Sequence, residues 1–198
     1  MMQSFWDKRY TENESVYGVL PNAYFKNFID TTAPGTILLP AEGEGRNAIY
    51  AASKGWQVDA FDYSKVAQQK ALEAANAQGL HINYAVKDID AFKATKQYDA
   101  VALIFVHLPR ALRLSFHAEV YKSIKSGGFL VLEAFAKEQL HKNSGGPKDA
   151  AMLYDVPSLC SDFNWMQMLH CEQKKLMLDE GEFHKGEAEL IRFTAQRL

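Results

Sequence analysis

Residues 36–54 constrain the fold more than any other stretch of the chain. Thr36 to Leu39 is a short apolar run ending in Pro40, and the glycine-bearing loop Ala41-Glu42-Gly43-Glu44-Gly45 follows. Arg46 to Lys54 then sets Ala48, Ile49, Ala51 and Ala52 on helical spacing before Gly55. An apolar strand passing through a glycine turn into a helix is the start of a βα unit, with Gly55 as its natural helix stop. Within it, Gly43-Glu44-Gly45-Arg46-Asn47-Ala48 matches the G-x-G-x-x-G/A pattern. Glycines there let a ligand touch the backbone, and the helix start offers unpaired N–H groups, although a glycine turn is also a cheap way to leave a strand.

The units repeat. Gln57 to Phe61 reads as a second strand ending at Asp62, and Ser64 caps an alanine-rich helix that stops at Gly79. His81 to Val86 alternates as a third strand. Tyr98 to Val106 is continuously apolar, which suits a central parallel strand covered on both faces. Pro109 opens a helix whose Leu112, Phe116, Val120 and Ile124 keep to one face. Gly127-Gly128 ends it, and Phe129 to Phe135 is the fifth strand. Residues 136–163 then read as an irregular insertion with short helices. Met166 to Leu178 and Glu187 to Ala195 are strands whose connection is too short for a crossover, so they form an antiparallel hairpin. The expectation is one α/β domain over 1–198, a Rossmann-like doubly wound sheet, mostly parallel with an antiparallel C-terminal hairpin. Residues 1–33 would form an N-terminal helical cap.

Composition narrows the function classes. Twenty-two basic against 24 acidic residues give a net charge of −2, which is no footprint for nucleic acid. Cys160 and Cys171 lack a zinc spacing, and no His/Cys/Asp cluster suggests a metal. The longest apolar run, Ala100 to Val106, falls far short of the roughly 20 residues of a membrane span. A cytoplasmic protein, monomer or homodimer, with a small-molecule partner is expected.

Asp62 lies 19 positions after Gly43 at a strand end, where a carboxylate can accept both hydroxyls of a ribose. A glycine loop with a ribose-binding acid suits a dinucleotide or S-adenosylmethionine. Charge separates them. Glu42 and Glu44 would repel a pyrophosphate by on the order of 1 kcal/mol or more each, whereas a sulfonium and an ammonium are attracted. Arg46 remains to pair with the methionine carboxylate.

These residues carry a resemblance. The loop AEGEGRNA, the acid in FDYS, the KDID segment, IFVHLP, GGFLVLEAF, GGPKD and DEGEFHKGEAELIR, with the N-terminal FWDKRY and VYGVLPN, resemble the class I S-adenosylmethionine-dependent methyltransferases. The nearest flavour is the bacterial tellurite-resistance and thiopurine methyltransferase-like group. The resemblance implies a seven-stranded sheet with its last strand antiparallel. Ala41, Glu42, Gly43 and Gly45 would line the methionine moiety, and Asp62 would hold the ribose. Tyr63 and Ser64 would flank the nucleoside, with Asp88 and Ile89 at the adenine edge and Phe105 to His107 beneath the sulfonium. The chain departs from the family pattern twice: Leu39 stands where an acid is usual, and Ala41 where the first glycine is usual. Glu42 either replaces that acid or is a solvated loop glutamate.

On the acceptor side, Phe5, Trp6, Tyr10 and Tyr17 would form a lid of ring faces, or else a plain apolar cap. His107 follows the fourth strand and would take a proton or orient an acceptor, or merely hydrogen-bond a carbonyl. His184 and His141 would face the acceptor pocket or solvent. Glu133 interrupts the fifth strand and needs a partner if buried. Gly145-Gly146-Pro147-Lys148 would be a flap over the site or a simple turn. The expected activity is methyl transfer to a small molecule, possible acceptors being a thiol or a chalcogen oxyanion. The alternatives are a nicotinamide-dependent (NAD or NADP) reductase and a non-catalytic S-adenosylmethionine-binding module.

Overall fold

The computed structural model describes residues 2–13 and 15–198, with side chains from Trp6 onward. Strands β1 (Thr36–Pro40), β2 (Gln57–Asp62), β3 (Asn83–Val86), β4 (Tyr98–Ile104), β5 (Ile124–Phe135), β6 (Gln167–Asp179) and β7 (Lys185–Gln196) form one sheet. Their order is β3-β2-β1-β4-β5-β7-β6. The first five pair in parallel, while β7 runs antiparallel to β5 and to β6. The mostly parallel α/β sheet with an antiparallel hairpin is therefore the observed fold. The chain winds outward from β1 to β3, then returns to place β4 on the other side of β1. That reversal opens a crevice at the carboxyl ends of β1 and β4.

The helices are α1 (Met2–Glu12), α2 (Ala23–Thr31), α3 (Arg46–Ser53), α4 (Lys65–Ala77), α5 (Arg110–Lys122) and α6 (Val156–Asp162), with short 3-10 turns at Lys137–His141 and Ala150–Met152. Asn22 caps α2 by accepting from the Phe25 N–H, and Ser64 caps α4 by accepting from Ala67. Ala67, Ala71 and Ala75 recur every four residues along α4 and are buried. Their small size lets α4 approach the start of α3: a Cβ on Gly45 would come within 2.6 Å of the Ala71 Cβ. On that side of the sheet Ile37, Leu39, Val58, Ala60, Ala100 and Ala102 pack under α2, α3 and α4. The other side carries Leu38, Phe61, Val101, Leu103, Leu130 and Leu132 under α5 and α6. Each large side chain buried this way contributes about 1.5–3 kcal/mol.

Several boundaries differ from the sequence pattern, those of β6 and β7 by one or two residues. Ile124 starts β5, where it pairs with Tyr98, rather than continuing α5. β3 begins at Asn83 rather than His81. β4 ends at Ile104 because Phe105 turns into the left-handed region at φ 55°.

Candidate active site

The crevice end of the sheet is built on unusual backbone. Among the described residues, Ala41 and Phe105, directly after β1 and β4, are the non-glycine residues with positive φ, at 51° and 55°. Such conformations cost about 1–2 kcal/mol each for an L-residue and persist where surrounding contacts enforce them. Gly43 follows at φ 64°, and a Cβ there would meet the Tyr10 hydroxyl at 2.8 Å. The Tyr84 hydroxyl donates to the Gly43 carbonyl at 2.6 Å and pins the loop from below.

Two acids face this loop. Asp62 is 5% exposed; its carboxylate accepts from the backbone N–H of Gly43 (3.2 Å) and Ser64 (2.9 Å). Burial outweighs those bonds, and Asp7 and Asp88 add to it, so the carboxyl is pushed up to about 6. Glu42 is not a solvated loop residue. One of its oxygens accepts from the N–H groups of Asn47 and Ala48, both at 2.8 Å, so it caps α3, while the other meets the Asn47 side-chain amide at 3.3 Å. Burial dominates here too and raises Glu42 to about 7. Leu39, where an acid was expected by resemblance, is 1% exposed in the core.

Glu44 and Arg46 are placed differently from expectation. Glu44 turns away from the crevice, pairing with Lys70 at 2.9 Å and accepting from the Val16 N–H. The Arg46 guanidinium is spent on protein groups: it donates to the Tyr17 and Leu20 carbonyls and pairs with Glu180 at 2.7 Å. Its side chain is therefore a clasp between the N-terminal segment and the β6–β7 turn. Burial raises Glu180, but His184 and Arg46 outweigh it and hold this carboxyl below the ordinary range.

The expected acceptor-side residues come together. Trp6 stacks on Tyr10 (5.7 Å between ring centroids) and lies 6.2 Å from Tyr17. Tyr17 is 4.4 Å from His184, which is 4.4 Å from Phe105 and 5.2 Å from Phe135. Phe5, also expected in this lid, lies outside the described side chains. The glycine segment packs on the same cluster: a Cβ on Gly145 would come within 2.7 Å of the His184 ring, and one on Gly146 within 3.0 Å of Phe135. Gln139 fixes that segment by donating to the Gly145 carbonyl. His184 is buried, which lowers its pKa, and its Nδ1 has no hydrogen-bond partner.

His107 has no free nitrogen in this arrangement. Nδ1–H donates to the Met152 carbonyl at 2.9 Å, and Nε2 accepts from the Phe135 N–H at 3.2 Å. Burial lowers it to about 4, so the ring is neutral. Of the residues expected around an adenine, Ile89 is buried and joins the core, Tyr63 is partly buried and Asp88 is exposed. His141 is exposed. Glu133, buried in β5, finds its partners in Arg192 (2.5 Å) and Asn22 (2.6 Å).

Several members of the site carried no signal strong enough to single them out. Asn22 also donates to Glu180 at 3.1 Å, joining the two buried acids, yet in sequence it is only a helix cap. Arg9 lies over the Trp6 and Phe183 rings, at 5.0 and 4.5 Å. Tyr84 occupied an ordinary inward position in an alternating strand. Among the described residues, no three His, Cys, Asp or Glu side chains are gathered as metal ligands, and no helix is long and apolar enough to cross a membrane.

A reversed-end seven-stranded sheet with a glycine loop, a ribose-distance acid and a crevice at β1 and β4 defines the class I S-adenosylmethionine-dependent methyltransferase fold. Residues 37–128 match the methyltransferase domain family, and S-adenosylmethionine-dependent methyl transfer, with S-adenosylmethionine as cofactor, is the activity that goes with this fold and match. No curated protein sequence matches the chain. Among solved structures it is similar to TehB from Haemophilus influenzae, with TM-score 0.77 and 16% identity over 99% of this chain and 67% of that one. It is also similar to a protein that converts a disulfide into a thioacetal in echinomycin biosynthesis (TM-score 0.82, 13% identity, 100% and 92% covered). A third is the 1,6-didemethyltoxoflavin-N1-methyltransferase of Burkholderia thailandensis, solved with 1,6-didemethyltoxoflavin and S-adenosylhomocysteine (TM-score 0.71, 13% identity, 99% and 87% covered).

The residues suit the cofactor. Glu42 and Asp62 are two desolvated carboxyls, each raised by burial, and neither is in an ion pair among the described residues. A ligand bringing an ammonium and a sulfonium supplies the missing positive charge, whereas a pyrophosphate would add to the negative.

Proposed function

We propose that the chain transfers the methyl group of S-adenosylmethionine to a small, soft nucleophile, a thiolate or a chalcogen or arsenic oxyanion. In this reading Ala41, Gly43 and Gly45 receive the methionine moiety along the backbone. The Glu42 oxygen that accepts only from the Asn47 side-chain amide meets its ammonium in place of the acid absent at Leu39. Asp62 accepts the ribose hydroxyls, Tyr63 and Ser64 flank the nucleoside, and Asp88 and Ile89 border the adenine. Arg46 acts as a clasp rather than as a carboxylate partner. Residues 1–33 cap, and 136–163 border, a single domain over 1–198, which works in the cytoplasm as a monomer or homodimer.

The observation that supports the acceptor class is that the histidine following β4 has no nitrogen left to take a proton. Both nitrogens of His107 are held by backbone, and His184, whose pKa burial lowers, packs among Tyr17, Phe105 and Phe135. An acceptor there must arrive already nucleophilic. A thiolate does so: its sulfur bonds the methyl carbon as the carbon–sulfonium bond breaks, giving a neutral thioether and S-adenosylhomocysteine. Charge is neutralised along the way, so the ring-lined pocket favours the step by excluding water, and alignment supplies much of the rate.

The test is S-adenosylhomocysteine release with small thiols, tellurite, selenite and arsenite oxyanions, phenols and RNA as acceptors. Turnover with a soft acceptor is the expected result. Turnover confined to phenols or RNA would refute the acceptor class, and cofactor binding without turnover on any of them would favour a binding module.

A further inference from the structure

Away from the crevice, three sulfurs meet at the surface between α6 and β6. The Cys160 Sγ lies 3.9 Å from the Met168 Sδ. Cys171 packs on the edge of the core under α6, on the same face of β6 as Met168, and both cysteines are free and partly buried. Burial, with the Cys160 thiol as neighbour, pushes the Cys171 thiol up to about 11.

A structural irregularity creates this meeting. Residues three apart in a regular strand point to opposite faces, so Met168 and Cys171 would be separated by the sheet. The register of β6 against β7 shifts between Met168 and His170, so that Met168 pairs with Ala195 and Cys171 with Phe193. Those partners are two apart and share a face. The extra residue, Leu169, thus turns both sulfurs toward α6, and such bulges serve to re-aim side chains.

We propose that Cys160, Met168 and Cys171 form a binding site for a soft monovalent cation of the copper(I) class. Thiolates and thioethers select such ions, and a thioether is a poor ligand for hard cations. Three sulfurs bonded at about 2.3 Å in a trigonal plane stand about 4 Å apart, a separation the Cys160–Met168 pair already has. Each thiol that ligates gives its proton to water, so two thiolates and the thioether around one cation carry a single net negative charge. The site is independent of the methyltransferase reading.

The experiment is anaerobic titration of the reduced full-length chain with copper(I), in competition with a chromophoric chelator. X-ray absorption is then recorded on the loaded protein. The chain should withdraw one copper, with a first shell of three sulfurs. C160S and C171S should each lose it, and M168L should weaken binding by at least about tenfold, no less than the loss of an outer-shell partner costs. Unchanged S-adenosylhomocysteine binding in these variants reports that they are folded. Retention no better than a C160S/C171S double variant would overturn the site. So would a two-sulfur shell in the unaltered chain with M168L binding as tightly.

Discussion

Ala41 and Phe105 leave the carboxyl ends of neighbouring strands β1 and β4 in the same left-handed conformation, at φ 51° and 55°. Neither residue type favours it. The pair stores strain where the crevice opens, and the two positions differ in what holds them. Phe105 is fixed by its ring contacts with Phe135 and His184 at 4.8 and 4.4 Å. Ala41 has only a methyl to lose. Ala41→Gly should relieve about 1–2 kcal/mol of strain and give back about 0.4–1 kcal/mol through the freer unfolded chain. The net expectation is unchanged stability or a gain of up to about 1.6 kcal/mol, read as a higher urea midpoint. A marked loss would mean that the methyl is a packing element.

Glu42 makes stability depend on pH. Its carboxyl is raised to about 7 from an ordinary 4.5, so between those values the folded state binds more protons than the unfolded one. Stability from this group is fully present below about pH 4.5 and is lost as pH rises through 7. Glu42→Gln keeps an oxygen for the Asn47 and Ala48 N–H groups without the charge. It should raise stability at pH 8 by on the order of 1–3 kcal/mol and change little near pH 4, flattening the curve of denaturation midpoint against pH.

For His107 the expectation separates structure from chemistry. His107→Ala leaves the Met152 carbonyl and the Phe135 N–H without their partner, a loss of about 1–3 kcal/mol for groups this buried. Turnover on a soft acceptor should persist at temperatures where the variant is folded. With its ordinary titration displaced to about 4, the ring should also leave no inflection in the rate between pH 5 and 8. A total loss of turnover in a fully folded variant would restore it as the proton acceptor.

The parallel sheet was legible because its signals are local: an apolar run, a glycine turn and an alanine helix each declare themselves within ten residues. The short link between the last two strands likewise announced the reversed end. The fate of charges was not legible in the same way. Arg46 and Glu44 sit in a loop that a cofactor would visit, yet each is drawn off by a partner far along the chain, Glu180 and Lys70. Such pairings depend on where the β6–β7 turn and α4 come to rest, which no local pattern records. His184 shows the opposite case: the hairpin tip that resemblance pointed to does fold back onto Tyr17 and Phe105.

Asp62 ties cofactor affinity to pH with a sign opposite to its effect on stability. In the free protein its carboxyl titrates at about 6 because burial outweighs the Gly43 and Ser64 N–H bonds. Ribose hydroxyls donate to the ionised form, so bound cofactor lowers that value. Affinity for S-adenosylhomocysteine should therefore be level above pH 6 and fall below it, by at most about tenfold per pH unit. Over the same interval the unliganded chain should become more stable, since a carboxyl raised above its ordinary value loses stability as pH rises through the folded value. Asp62→Asn should remove this contribution to both trends and weaken binding at pH 8 by about 1.5–3 kcal/mol, the range for hydrogen bonds to a charged group. Calorimetric titrations from pH 5 to 8 on both proteins decide it. Parallel curves would show that Asp62 does not meet the ribose, whereas curves that stay apart above pH 6 and converge below it place its carboxylate on the cofactor.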